Sequence, residues 1–194
     1  VDGNIQLKKK YNAKILGYIK DKDRIPGIDI FLKENQNQKI GGLFFKVIFI
    51  PGHTIGHVAF YFEKEKILFS GDTLFSLGCG RVFEGTHEDM LNSLNKLKML
   101  PPETKIYCGH EYTKTNLDFC LKYDPNNPSL KDKSVKINSL LKSNLPTIPT
   151  TIGEELKTNI FLRCNDSLIK QSLNLKDASD QEIFTKLRDL KDAF

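Results

Sequence analysis

Three side chains of a kind that binds metal ions follow glycine residues at the ends of strand-like segments. His53, Asp72 and His110 occur in "FIPGH", "FSGDT" and "YCGH", each directly after a glycine. Glycine lets the backbone approach closely and adopt positive φ angles, which loops at a sheet edge often need. Imidazole and carboxylate groups are ligands of zinc, iron and manganese. The pattern alone leaves two interpretations open: a metal site, or hydrogen-bonded loop histidines with a turn aspartate.

The elements that would carry these residues divide the chain near residue 111. Hydrophobic periodicity predicts a helix at 3–11 and another after Thr86, an N-cap residue with Asp89 in the capping-box position. The expected fold class is α/β, or α+β, for residues 1–111, followed by a small helical domain at 112–194. Segments rich in aromatic and β-branched residues predict five strands, at 13–19, 43–50, 57–63, 66–71 and 105–109.

One predicted strand pair has a fully apolar face. The segments "LFFKVIFI" and "HVAFYF" are rich in aromatic and aliphatic residues on both sides of the turn that joins them. Such a face must be buried against another layer of structure. We expect the covering sheet to be absent from these 194 residues. The uncovered sheet would then invite self-association through exposed apolar surface.

Composition and charge narrow the class of protein and its partners. The chain is 39% hydrophobic and 27% charged, as globular proteins usually are. Its 29 basic residues are interleaved with 24 acidic ones, so the net charge of +5 indicates a small anionic substrate or simple solubility, not nucleic-acid binding. No apolar run is long enough to cross a membrane. The four cysteines lack metal-site or disulfide spacing, which predicts free thiols and a reducing, cytoplasmic location.

Three longer motifs resemble those of the metallo-β-lactamase superfamily. They are "PGHTIGH", "FSGDTLF" with the following "GCGR" and "EGT", and "YCGHEYT". The motif "HEYT", with a tail containing "PTIPTTIGEE", is similar to the glyoxalase II branch, the hydroxyacylglutathione hydrolases. The resemblance covers the whole chain and implies a partial αβ/βα sandwich followed by a helical glutathione-binding domain. It also implies hydrolysis of S-2-hydroxyacylglutathione thioesters, such as S-D-lactoylglutathione, in methylglyoxal detoxification.

The resemblance further implies a binuclear centre for two divalent ions, zinc or else iron or manganese. His53 would bind one metal and His110 the other, while Asp72 would bridge both and serve catalysis. His57 would support His53 as a hydrogen-bonded structural residue. The remaining family ligands lie in a T-H-x-H-x-D-H segment, which does not occur in these 194 residues. Each metal would keep two protein ligands where such sites need three or four, so we expect weak metal binding and impaired hydrolysis by this chain alone.

A second group of residues concerns the substrate. Arg188 and Lys191 stand at i and i+3 on one face of the last predicted helix. On pattern alone a solvated basic face explains this pair better, whereas the resemblance implies an Arg-x-x-Lys that binds the glycine carboxylate of glutathione. The resemblance adds Arg81, the basic residue after "GCG", and Tyr112 of "HEYT". Phe83 stands where the family often has tyrosine, so one hydroxyl donor is absent.

Two alternatives remain at this stage. A persulfide dioxygenase of the same superfamily would share "GHTxGH" and "CGR" but would use one iron. The helical extension with its Arg-x-x-Lys, and the motif "GHEYT", favour the hydrolases over that enzyme. The other alternative is a non-catalytic fragment that retains glutathione binding, because the ligand set is incomplete.

Overall fold

The computed structural model describes residues 1–194, which form seven α-helices and ten β-strands. The helices are α1 (Asn4–Tyr11), α2 (His87–Leu97), α3 (Thr113–Tyr123), α4 (Pro128–Lys142), α5 (Ile152–Thr158), α6 (Ser167–Ser172) and α7 (Asp180–Asp192). The strands are β1 (Leu16–Tyr18), β2 (Ile30–Leu32), β3 (Asn37–Ile40), β4 (Leu43–Phe49), β5 (Val58–Phe62), β6 (Ile67–Gly71), β7 (Leu74–Phe75), β8 (Gly78–Cys79), β9 (Lys105–Cys108) and β10 (Thr150–Thr151). None of the helices combines the length and apolar character needed to cross a membrane.

Six strands form one mixed sheet in the order β10-β9-β6-β5-β4-β3. Only β6 and β9 pair in parallel, and the other neighbours are antiparallel. A parallel pair needs a crossover connection, and the chain between these two strands supplies one through α2. Strands β4, β6 and β9 therefore run in the same direction, and their carboxyl ends meet at one edge of the sheet. The three residues singled out in the sequence follow these three ends.

Side-chain alternation along the strands separates a buried inner face from an outer face. In β6, Leu68 is fully buried and the next residue, Phe69, is 45% exposed. The inner face packs against the helices in one core of 27 buried residues, drawn from both sides of residue 111. Helix α2 contributes Met90, Leu94 and Leu97, all fully buried. The division at residue 111 stays a prediction.

The outer face is partly covered by the first third of the chain. Strands β1 and β2 pair in parallel, and their Tyr18 and Leu32 pack with Phe45 and Val47 of β4. The expectation that the apolar face has no covering sheet is therefore wrong for β4, because this two-stranded sheet lies over it. Beyond that cover a row of aromatic rings on β5, β6 and β9 continues, with centroids 5.7 and 5.6 Å apart, formed by Phe62, Phe69 and Tyr107.

The predicted elements are confirmed in position, with differences at their ends and five strands missed. Thr86 caps α2 and forms the predicted capping box with Asp89. The helix ends at Leu97, four residues before Pro101. Strand β3 escaped prediction because its sequence "NQKI" lies at the sheet edge and three of its four residues are exposed, so no hydrophobic alternation marks it. Strands β2, β7, β8 and β10 have only two or three residues each and are too short to show a period.

The opposite faces of β6 provide a direct test of this arrangement. Replacing Leu68 with alanine should lower the free energy of unfolding by about 3 kcal/mol, because it removes buried methyl groups and leaves a cavity. Replacing its neighbour Phe69 with alanine should cost only roughly 1 kcal/mol, because that ring is half exposed already. Urea unfolding of both variants measures the difference. Equal costs, or the reverse order, would contradict the assignment of the two faces.

Candidate functional site

The carboxylate of Asp72 lies between two imidazole rings at the shared sheet edge. His53 Nε2 is 3.4 Å from Asp72 Oδ2, and His110 Nε2 is 3.5 Å from Asp72 Oδ1. The structure therefore brings together the three residues that the sequence placed at separate strand ends. Each ring faces a different oxygen, which is the arrangement expected if one carboxylate is shared by two neighbouring positions.

Glycine is required at this edge because other residues come too close. A Cβ on Gly109 would lie 2.4 Å from Asp72 Oδ1, and one on Gly71 would lie 2.5 Å from His57 Nε2. Gly71 also has a φ angle of +52°, a region that other residues rarely adopt. The glycines before Asp72 and His110 thus permit the close packing at this edge, whereas Gly52, before His53, lies close to the backbone of Met90 on α2.

His57 holds Asp72 in place instead of binding at the site. The backbone N–H of Asp72 donates to His57 Nε2 at 2.9 Å. Burial lowers the pKa of His57, and the nearby His53 ring adds to this effect. A neutral imidazole is the form that can accept this hydrogen bond. His57 is hydrogen-bonded as expected, but its bond is to Asp72, and with His53 it makes only an edge-to-face ring contact, with centroids 5.7 Å apart.

The support of His53 comes from a residue that sequence reasoning assigned to the substrate. His53 Nδ1 donates to the backbone carbonyl of Arg81 at 2.8 Å. This bond fixes the ring so that Nε2 faces Asp72, which is how the second nitrogen of a metal-binding histidine is usually used. Nothing in the sequence signals it, because the acceptor is a backbone atom 28 residues away.

The donor set fits a divalent metal ion in kind but falls short in number. Asp72 Oδ1 is buried and has no hydrogen-bond partner, as expected of an oxygen that a cation would complete. His53, Asp72 and His110 are the residues that would hold such an ion. However, no group of three or more His, Cys, Asp or Glu side chains lies close enough together to form a complete site.

A pocket of about 650 Å³ joins this edge to the last helix. Arg188 is not on a solvated face, since it is only 4% exposed and its Nη1 donates to the Cys79 carbonyl at 3.1 Å. Burial, followed by the charge of Arg188, lowers the pKa of Lys191. The pocket is lined by the three edge residues and by all five residues predicted to contact substrate: Arg81, Phe83, Tyr112, Arg188 and Lys191.

Asp192 also lines this pocket and was missed by sequence reasoning. Its Oδ1 accepts hydrogen bonds from Arg188 Nη2 at 2.8 Å and from Arg81 Nε at 3.1 Å. The only sequence signal was its position four residues after Arg188, a spacing that ion pairs on helices commonly use. The contact with Arg81 joins positions 111 residues apart and depends on the fold.

Both parts of the chain match family models. Residues 4–110 match the metallo-β-lactamase superfamily, and residues 111–194 match the hydroxyacylglutathione hydrolase C-terminus. The hydroxyacylglutathione hydrolase of Pelagibacter ubique is 52% identical over all 194 residues, which span 75% of its length. That of Chelativorans sp. is 47% identical, with 76% of its length spanned. This chain belongs to the hydroxyacylglutathione hydrolase family.

Solved structures agree with this assignment at the level of the fold. The BLEG-1 B3 metallo-β-lactamase superimposes with a TM-score of 0.57 and 25% identity, over 81% of this chain and 68% of that one. The expected fold class, the family and the thioester-hydrolase assignment are confirmed. The match of residues 111–194 favours the hydrolase over the persulfide dioxygenase.

Side chains of residues 112–194 hold the loop that connects Asp72 to Arg81. Glu155 is fully buried, and its carboxylate accepts from the backbone N–H of Leu77 at 2.7 Å. Asn159 donates to Glu155 at 2.9 Å and to the Gly78 carbonyl at 3.0 Å. Lys133, itself buried, supplies the compensating positive charge at 2.5 Å. The turn between β7 and β8, which leads from Asp72 to Arg81, is thus fixed from α4 and α5.

Replacement of Glu155 by glutamine should lower the free energy of unfolding by about 3 kcal/mol, because it leaves the buried Lys133 ammonium hydrogen-bonded only to neutral groups. The control is Glu154→Gln on the same helix, whose partner Lys136 is largely exposed, and it should cost less than about 1 kcal/mol. Chemical denaturation of both variants measures the contrast. Equal costs would show that the buried pair does not stabilise the loop.

Proposed function

We propose that this chain supplies part of the metal centre and the glutathione-binding surface of an enzyme that hydrolyses S-2-hydroxyacylglutathione thioesters, S-D-lactoylglutathione among them. The observation that carries the proposal is the pocket that contains both groups of residues. The edge group of His53, Asp72 and His110 and the basic group on the last helix open into one cavity. A thioester whose acyl carbon meets the first group can therefore reach the second with its peptide part.

The reaction assigned to the edge group is hydrolysis. Divalent ions held by His53, Asp72 and His110 would supply Lewis acidity and activate water at neutral pH. Zinc suits these donors, as do iron and manganese. The chain itself orients the donors, through the His57 bond to Asp72 and the Arg81 bond to His53. A thiolate leaving group, with a pKa of about 8.5, departs without a strong general acid.

The role assigned to the basic group is binding of the glycine carboxylate of glutathione. Arg188 offers a planar guanidinium held in place by the Cys79 carbonyl, and Lys191 stands one turn further along the same helix. Arg81 and Tyr112 border the same cavity. Phe83 is 67% exposed and packs against His53 at 5.1 Å between ring centroids, so it offers apolar contact without a hydroxyl donor.

The cysteines are consistent with a reducing compartment, and we place the protein in the cytoplasm. All four thiols are free, and three of them are buried. Burial raises the pKa of Cys120 and of Cys164 to about 12, which keeps both in the unreactive thiol form.

Self-association through the exposed ring of Phe69 and its neighbours also stays a prediction. Sedimentation of the Phe69→Lys variant, compared with the unsubstituted chain, tests it.

The 194-residue chain alone should hydrolyse S-D-lactoylglutathione poorly in the presence of zinc. Changes to the partners of metal ligands alone cost about 10- to 100-fold, so a site with two ligands per ion should lose at least about 100-fold against the Pelagibacter ubique relative. Zinc retained after dialysis should be substoichiometric, and Asp72→Asn should remove the remaining turnover. Hydrolysis at the rate of the relative would contradict the expected impairment.

Glutathione binding should survive this loss of turnover and depend on the last helix. Lys191→Ala should weaken binding of S-methylglutathione about tenfold, because one charge-assisted contact is removed. Lys186→Ala is the matched control, since Lys186 is exposed on the same helix and should leave the affinity unchanged. Isothermal titration calorimetry measures both. The same loss in both variants would indicate general charge attraction, and no binding by the unsubstituted chain would reject the assigned surface.

A further inference from the structure

A carboxylate of the protein itself occupies the centre of the basic group. Asp192 Oδ1 accepts from Arg188 on its own helix and from Arg81, which follows β8. The two arginines belong to different elements and share this one oxygen atom. Asp192 lines the same pocket, and its side chain is 36% exposed there. A carboxylate ligand entering the pocket therefore meets these two cations already joined to an anion.

The burial of Arg188 explains why an anion is needed there. A guanidinium that is 4% exposed loses most of its hydration and needs a partner of opposite charge. Its other protein contacts are the Cys79 carbonyl and sulfur and the ring of Phe161, none of which is a carboxylate. Asp192 is thus the one anionic side chain paired with Arg188. Arg188 Nε is buried without a hydrogen-bond partner, so the contact of this guanidinium with a carboxylate is made through Nη2 alone.

We propose that Asp192 acts as an internal carboxylate that occupies the anion subsite in the ligand-free protein, and that a carboxylate ligand binds in competition with it. This inference rests on the proposed function of the pocket as a glutathione site. Two carboxylates within a few ångströms of each other repel, and the two cations cannot satisfy both fully. Arg81, whose side chain is 55% exposed, is the partner that can turn from Asp192 to the ligand.

Competition of this kind suits hydrolysis of a glutathione thioester. The substrate and the released glutathione carry the same glycine carboxylate, so contacts with that group stabilise both equally. Such uniform binding does not lower the barrier of the chemical step and would hold the product in the pocket. Asp192 lowers the affinity for both and so favours release. A residue that merely braced the two arginines would have the opposite effect on binding when removed.

The test is a comparison of acid and ester ligands on the unsubstituted chain and on Asp192→Asn, by isothermal titration calorimetry. S-methylglutathione is the probe because it has no free thiol, and its glycyl ethyl ester lacks the carboxylate in question. Asp192→Asn should bind the acid about tenfold more tightly, because a repelling charge is gone, and should bind the ester with unchanged affinity. Asp189→Asn, an exposed position on the same helix, is the control and should change neither affinity.

The remaining outcomes of this comparison are assigned as follows to the inference or to the proposed function. Equal or weaker binding of the acid by Asp192→Asn overturns it while leaving the proposed function intact. Binding of the acid to neither chain overturns the proposed function as well. If Asp192→Asn does not fold, as judged by circular dichroism, the unsubstituted chain decides. There the acid should bind less than about tenfold more tightly than the ester, since Asp192 offsets the charge-assisted contact, and a larger ratio overturns the inference.

Discussion

The parallel pairing of β6 with β9 is the constraint on which the candidate site depends. It forces the chain to leave the sheet after β6, pass through α2 and return in the same direction. Both strands consequently end at one edge, where Asp72 and His110 follow them. Strand β4 runs in the same direction through two antiparallel steps, so His53 joins the same edge. The close approach of the three side chains then requires glycine at positions 71 and 109.

Buried charged side chains on α4, α5 and α7 connect the helical part of the chain to the sheet edge that carries His53, Asp72 and His110. Glu155 lies in the interior with Lys133 as its counter-ion, and its remaining acceptor capacity is used on the turn between β7 and β8. Arg188 is buried as well and bonds to Cys79, two residues further along the same loop. Removing one partner of a buried ion pair costs about 3–5 kcal/mol of folding free energy. A movement of the loop that broke these contacts would therefore be unfavourable, so the loop is held in one position. The backbone that carries Arg81 is thereby held next to His53.

The two faces of the six-stranded sheet are covered by different parts of the chain. The inner face is closed by helices from both parts of the chain in one core. The outer face receives a two-stranded cover over β4 but leaves Phe69 half exposed. At the edge between the faces, the donor types of a metal centre are present without the number that a closed site needs. In the proposed function the glutathione part of a substrate contacts a different set of residues, those of the basic group, so we expect hydrolysis and glutathione binding to be separable.

Much of the fold could be predicted because its strongest signals are local. The helices of residues 112–194, the capping box at Thr86 and the apolar strands appear in the sequence as periodicity and as cap residues a few positions apart. The edge strand β3 and the two-residue β10 could not be predicted, since neither has a hydrophobic period of its own. The cover formed by β1 and β2 was missed because it depends on pairing between segments that are short and weakly patterned.

For the site, the sequence by itself determined the identity of the candidate ligands, through glycine steps at strand ends and the resemblance of the motifs around them. It also named the basic residues of the pocket. Only the tertiary structure decided how these residues are held: His57 bonds to Asp72, Arg81 supports His53 through its carbonyl, and Asp192 bridges two arginines. The physical reason is range. Residue type and hydrophobic period are local properties of the sequence. Burial and hydrogen bonds between positions far apart in the chain arise only when the strands and helices pack together.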